Sequence, residues 1–375
     1  MKQILAVLLH SAIIICLAGC TMEVDQPSSA TPNSEVLSAV PTSLIPNTNK
    51  TTPSARPTVP ITWSDLHLSG KLVYSTVTAD GGNSAPKIQM LDLGTGEITT
   101  IFGSTDNAWI YYLTVSPDAT RLVMSYTPPS QPGSNSGTSL YILPLEEAAT
   151  PQILFTPPTP SDRYIQVEWS PDGKYLYMVH YNHADQPANQ PYPDYKISRM
   201  AYSGGQPVKI LDHAFWPRVS ADSSKLVYVA LDPVTGANQL FVANADGSNP
   251  QEILLTGFPQ IIDAPIFSPD GASILFSAPN LKQAYQRNWL DRLTGVQIVR
   301  AHNVPSDWWS VSVSGGTVTR LTQIQSIKLF ASISPDEKHL ASLSGEGILV
   351  MELDGSNLRQ LLLDPGVSSV LRWIP

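Results

Sequence analysis

Ser170-Pro171-Asp172-Gly173-Lys174-Tyr175-Leu176-Tyr177 is the stretch that decides the fold. Proline sets φ near the value needed at the second position of a tight turn. Aspartate bonds backbone N–H groups close by, and glycine accepts the positive φ on which such a turn ends. Apolar runs with strand character flank the stretch, so it reads as a hairpin. A single Pro-Asp-Gly turn is common, but here related versions recur. Ser116-Pro117-Asp118-Ala119 precedes Arg121-Leu122-Val123-Met124, and Ser268-Pro269-Asp270-Gly271 precedes Ile274-Leu275-Phe276. Ser334-Pro335-Asp336-Glu337 precedes His339-Leu340-Ala341, and a worn copy, Ser220-Ala221-Asp222-Ser223, precedes Lys225-Leu226-Val227-Tyr228. The serines at 116, 170, 220, 268 and 334 are 54, 50, 48 and 66 residues apart. A period of about 50 made of short strands predicts the blades of a β-propeller.

A second turn follows each unit's third strand: Asp92-Leu93-Gly94-Thr95-Gly96-Glu97, Tyr202-Ser203-Gly204-Gly205-Gln206, Ala245-Asp246-Gly247-Ser248-Asn249, Ser314-Gly315-Gly316-Thr317 and Leu353-Asp354-Gly355-Ser356-Asn357. Each unit therefore holds four strands, a to d. The Ser-Pro-Asp-Gly turn joins a to b, and the glycine-rich turn joins c to d. Lys71-Leu72-Val73-Tyr74 matches the strand at Lys174–Tyr177, but no Ser-Pro-Asp precedes it. The first unit thus lacks strand a. The C-terminus supplies it, because Leu371-Arg372-Trp373-Ile374-Pro375 matches Val167-Glu168-Trp169-Ser170-Pro171. The expected fold is an all-β, six-bladed β-propeller over residues 61–375, with four-stranded antiparallel blades and the C-terminal strand closing the first. Closure leaves only short, protected sheet edges. Trp169 and Trp373 hold equivalent positions and are expected to pack between blades. Ala119, Ala221, Ser223 and Glu337 depart from the repeat and are expected to loosen their turns.

The chain has 375 residues, 42% of them hydrophobic and 14% charged, with a formal net charge of −9. That composition supports a sizeable core. An acidic chain without basic clusters argues against nucleic acid and against charge-driven lipid binding. The two cysteines, Cys16 and Cys20, both lie near the N-terminus, so the rest of the chain has neither a disulfide nor a thiolate metal site. Residues 1–20 read as a targeting segment: Lys2 is followed by a mostly apolar run from Ile4 to Leu17. Residues 21–60 carry Pro27, Pro32, Pro41, Pro46, Pro53, Pro57 and Pro60 among Thr, Ser, Asn and Ala, the composition of a tether. As flexible coil it spans roughly 35 Å, and as polyproline helix about 120 Å.

Leu17-Ala18-Gly19-Cys20 resembles the lipobox of bacterial lipoproteins. The resemblance implies cleavage before Cys20 and lipidation there, hence anchorage to a membrane of the cell envelope. Acyl chains contribute about 0.8 kcal/mol per buried CH₂, so two or three of them anchor firmly. The repeats resemble the WD40-like propeller repeats of TolB and of the non-catalytic propeller in the prolyl oligopeptidase and dipeptidyl peptidase families. The motif is specific for fold and weak for function.

Because strands alternate in direction, the a–b and c–d turns share one face of the disc, and the b–c and d–a connections share the other. The first set is short. The b–c connections are expected to be long at Ala79 to Pro86, Thr127 to Gly137, Asn182 to Tyr195 and Ala278 to about Ser306, with Gly345-Glu346-Gly347 the short exception. Long loops on a rigid scaffold carry function, so the b–c/d–a face around the channel is the expected recognition surface. Its candidate contact residues are His180, Tyr181, His183, Tyr192 and Tyr195 in the third blade, and Tyr285, Arg287, Trp289 and Arg292 on a short amphipathic helix in the fifth. His180, His183 and Asp185 lack a helix to fix their spacing and an evident fourth ligand, so a tyrosine-bearing contact loop is expected rather than a metal site. The repeated Asp118, Asp172, Asp222, Asp270 and Asp336 are expected to serve turn hydrogen bonding.

The sequence has no Gly-x-Ser-x-Gly elbow, no His-Glu-x-x-His and no phosphate-binding glycine loop. The expected function is non-catalytic and cofactor-free: a monomeric, lipid-anchored envelope propeller binding a protein or peptide. Two alternatives stand beside it. One is an enzyme acting on glycans or small molecules in the channel, which requires a deep pocket with two carboxylates or a His/Asp metal set. The other is a structural spacer.

Overall fold

The computed structural model describes residues 63–80, 83–104, 108–129, 137–186, 192–232, 236–255, 258, 261–279, 304–364 and 366–375. The targeting segment, Cys20 and the tether lie outside the described residues, as do Tyr285, Arg287, Trp289 and Arg292. The compact unit that contains the repeats spans Val59–Pro375.

The first blade begins with β1 (Lys71–Asp80), β2 (Asn83–Asp92) and β3 (Ile98–Gly103). The second is β4 (Trp109–Val115), β5 (Arg121–Thr127), β6 (Ser139–Pro144) and β7 (Gln152–Phe155). The third is β8 (Asp162–Trp169), β9 (Tyr175–Asn182), β10 (Lys196–Ala201) and β11 (Val208–Asp212). The fourth is β12 (Ala214–Val219), β13 (Lys225–Leu231), β14 (Asn238–Asn244) and β15 (Gln251–Glu252). The fifth is β16 (Asp263–Phe267), β17 (Ser273–Pro279), β18 (Ser306–Ser312) and β19 (Thr319–Arg320). The sixth is β20 (Ala331–Ile333), β21 (His339–Ser344), β22 (Gly347–Glu352) and β23 (Arg359–Leu363), after which β24 (Val367–Ile374) returns to the first. Each blade is a four-stranded antiparallel sheet in the order a-b-c-d, and β24 pairs with β1. The strands a touch one another around the axis: β24 with β4, β4 with β8, β8 with β12, β12 with β16, and β20 with β24.

The ring closes in the expected register, Leu72 opposite Trp373. Trp373 donates its backbone N–H to Ser332 Oγ of the sixth blade at 3.0 Å and its indole N–H to the Ser69 carbonyl at 2.9 Å. Trp169 repeats the first bond, to Thr114 Oγ1 of the second blade at 3.1 Å. The second residue of every strand b, namely Leu72, Leu122, Leu176, Leu226, Ile274 or Leu340, is buried between sheets. Each lies opposite the matching residue of strand a.

The five marked turns are built alike. The serine Oγ donates to the aspartate Oδ1 two residues on, at 2.5–2.7 Å. It also accepts the N–H five residues on, at 2.9–3.0 Å. The aspartate Oδ1 in turn accepts the N–H two residues beyond it, at 3.0–3.3 Å. The expected loosening at the departures does not occur. Ala119 (φ 54°), Ser223 (φ 60°) and Glu337 (φ 62°) adopt the left-handed conformation of Gly173 (φ 74°) and Gly271 (φ 67°). The Ser–Asp hydrogen bonds hold that backbone whatever the fourth residue is.

One connection differs from expectation. Ala79 to Pro86 is not a loop: β1 and β2 pair residue for residue out to Asp80 opposite Asn83. The small polar residues there carry the ladder onward instead of ending it. Pro86 fits because its carbonyl accepts from Ser104, so its missing N–H faces the end of β3, while Val77 N–H goes to Gly366 O.

Candidate functional site

The b–c connections cluster on one face as predicted. The long ones span 128–138, 183–195 and 280–305, and the short ones 81–82, 232–237 and 345–346. The fifth-blade span lies almost wholly outside the described residues, so the site is built from the second, third and fourth blades.

His180, Tyr181 and Asn182 end β9 on this face. His180 turns toward strand a of its own blade. Its Nε2 lies 2.8 Å from Asp162 Oδ1, and its ring stacks on Tyr164 at 4.5 Å. Asp162, buried, also accepts from Thr159 N–H and Oγ1 and from Asn182 Nδ2. Burial raises the Asp162 carboxyl's pKa, but the hydrogen bonds from His180 and Thr159 outweigh it and leave it below the usual carboxylate range. His180 is thus a positioning residue of the loop base. Asn182 caps the short 3₁₀ turn His183–Asp185 by accepting Ala184 N–H at 2.8 Å. Among the described residues no group of three or more His, Cys, Asp or Glu is arranged to hold a metal.

Tyr181 meets Tyr195 edge-on at 5.2 Å, and burial with Tyr195 nearby pushes the Tyr181 phenol up to about 12. Tyr195 leans on Phe215 at 5.8 Å. Tyr192 reaches the next blade: a Cβ at Gly236 would lie 2.6 Å from its ring. Tyr181, Tyr192 and Tyr195 are all half-buried. Among the described residues, Tyr192 and Tyr195 at the end of this connection therefore pack on the fourth blade, and Tyr181 packs on Tyr195.

Sequence reasoning missed two features. Trp109, the first residue of β4, stands 52% exposed on this same face. The second is the filling of the channel. Tyr112 of the second blade, Trp216 of the fourth and Phe330 at the entry to the sixth meet across the axis, with ring centroids 5.0–6.5 Å apart. Gln166 of the third blade joins them, accepting Trp216 N–H at 2.6 Å and donating to Tyr112 Oη at 3.5 Å. Two residues further along the strands comes a charged layer. Glu168 Oε2 receives Arg218 Nη1 of the fourth blade at 2.9 Å and Arg372 Nη2 of the first. Arg218 also donates to Ala331 O of the sixth blade at 3.1 Å. Burial, with Arg218 alongside, pushes the Arg372 guanidinium down to about 10, against the pull of Glu168. One signal for these layers was present: aligning strands a on Trp169 and Trp373 puts Glu168 and Arg372 at one level.

No family model matches the sequence. Among solved structures the chain is similar to a putative TolB from Agrobacterium tumefaciens, with a TM-score of 0.53 and 16% identity over 81% of this chain and 99% of that one. It is also similar to TolB from Acinetobacter baumannii, with a TM-score of 0.57 and 16% identity over 81% of this chain and 66% of that one. The fold is TolB-like. At this identity the likeness is one of architecture.

What the TolB-like disc offers chemically follows from its filling. In the two channel layers, the carboxylate of Glu168 is engaged by two guanidiniums. Tyr112, Trp216 and Phe330 pack against one another across the axis. Among the described residues of this face, the exposed Trp109 and the half-buried Tyr181, Tyr192 and Tyr195 stand at its outer surface.

Proposed function

We propose that this TolB-like propeller is a non-catalytic binding module of the bacterial cell envelope, anchored through lipid on Cys20, that holds a protein or peptide partner on its b–c/d–a face. The observation carrying this reading is the filled channel: with Tyr112, Trp216 and Phe330 packed across the axis, recognition falls to the exterior loops. The half-exposed Trp109 and the rigidly supported Tyr181 supply aromatic anchors of the kind that dominate protein interfaces. The packing of Tyr181, Tyr192 and Tyr195 lowers the entropy those side chains lose on binding. The resemblance of Leu17-Ala18-Gly19-Cys20 to a lipobox supports the envelope location.

The test is photo-crosslinking in intact cells with the full-length chain. A photoreactive residue replaces Trp109, Tyr181 or, on the opposite face, Lys174. Adducts to one and the same protein from the first two positions, and none from Lys174, support the reading. Adducts from Lys174 alone, or none from any position, overturn it. Cys20→Ser is expected to move the chain from the membrane to the soluble fraction.

A further inference from the structure

We propose that the layer of Glu168, Arg218 and Arg372 is a binding site for a small oxyanion, held between the two guanidiniums inside the propeller. The argument begins with charge. Two cations share one carboxylate and converge on its Oε2. The other strand-a positions at this level are Thr114, Ile266 and Ser332, matched through the register of each blade. The layer therefore carries one uncompensated positive charge in an otherwise acidic chain.

Hydrogen-bond capacity points the same way. Thr114 Oγ1 and Ser332 Oγ each accept a tryptophan backbone N–H and retain an O–H to donate. Beyond Glu168, the acceptors reached by the guanidiniums are the neutral carbonyls of Ala331 and Leu371. Donors exceed acceptors, and the excess is charged. The triad keeps a net positive charge after its internal pairing, and a bound anion would compensate it.

The site is also accessible. The side chains of Glu168, Arg218 and Arg372 are 14%, 14% and 11% exposed, so solvent-sized species reach them. The aromatic layer of Tyr112, Trp216 and Phe330 roofs one side and lowers the local dielectric, which strengthens an ion's attraction. Burial, with Arg218 alongside, holds the Arg372 guanidinium down despite the pull of Glu168, and a bound anion would pull it further up.

The test uses the full-length chain in neutral detergent, at constant ionic strength set by a bulky organic anion. Inorganic phosphate, sulfate and acetate are titrated separately, and the thermal midpoint and heat of binding are recorded. A saturable rise with at least one anion is expected; acetate outranking phosphate marks a carboxylate ligand, and the reverse marks an inorganic one. Glu168→Gln removes the competing carboxylate and should tighten binding about tenfold. Arg372→Met and Arg218→Met should abolish the response. A purely structural triad predicts the opposite for Glu168→Gln: lower stability that no anion restores. That outcome, or an unsaturable drift common to wild type and Glu168→Gln, overturns the proposal. Because Glu168→Gln keeps size and shape, it decides the question even if the arginine variants do not fold. None of these outcomes depends on a partner at the outer face.

Discussion

At the residue scale, the turn serine and aspartate act as one unit. Their hydrogen bonds force a left-handed residue at the fourth position, where a side chain costs about 1 kcal/mol. Ala119→Gly and Glu337→Gly should therefore each stabilise the protein by about 1 kcal/mol in denaturant titrations. Ser223→Gly should gain less, because Ser223 Oγ accepts Asp172 N–H at 3.0 Å and the substitution loses that bond. The same aspartates set the acid limb of stability. The Ser116 hydroxyl, with Thr120, lowers Asp118 to about 2, and the Ser220 hydroxyl, with Ser224, lowers Asp222 to about 2. Asp172, Asp270 and Asp336 are lowered too, led in each case by the turn serine. A depressed carboxylate binds its proton more readily in the unfolded chain, so its contribution is present above pH 4 and lost as pH falls toward 2. The thermal midpoint should drop across that window, and Asp118→Asn with Asp222→Asn should flatten the drop while lowering the plateau.

At the element scale, the closing strand is where the ring is made or lost. β24 wedges Trp373 between the first and sixth blades, and Gly70 passes so close that a Cβ there would sit 2.2 Å from Ile374 O, at φ +84°. Trp373→Ala should cost about 3–5 kcal/mol. Gly70→Ala should weaken the same seam through backbone strain, and both are measurable by equilibrium unfolding. This seam was legible in the sequence because a strand match needs only local pattern: Arg372-Trp373 against Glu168-Trp169. Blade number was legible for the same reason, since each turn signals itself. Connection length was less so. Ala79–Pro86 has the composition of a loop yet continues a ladder, because its two arms pair with each other out to Asp80 opposite Asn83. Of the channel layers only the shared level of Glu168 and Arg372 was legible, because the layers bring together residues 50 to 204 positions apart whose facing depends on a bulge in strand a. Gln166 and Trp216, at φ 51° and 58°, sit in that bulge, and no local rule predicts a left-handed glutamine or tryptophan.

At the scale of the whole molecule, the channel layers change how the repeats unfold. In an open repeat array each unit touches only its neighbours, so terminal units fray and cooperativity fails with length. Here the second blade packs on the fourth and sixth through Tyr112, Trp216 and Phe330. The first reaches the third through Arg372 and Glu168, and the fourth reaches the sixth through Arg218. These contacts skip neighbours, so the first, second, third, fourth and sixth blades are each tied across the axis to a non-adjacent blade. The described propeller should then melt in one calorimetric transition whose van 't Hoff and calorimetric enthalpies agree, despite its size. Phe330→Ala removes a ring shared by the second, fourth and sixth blades. It should lower the midpoint, costing about 3–5 kcal/mol, while leaving a single transition, because the charged layer and β24 still tie the ring together. Two resolved transitions in the wild-type scan would mean that the blades act as separate units and that the cross-axis contacts do not couple them.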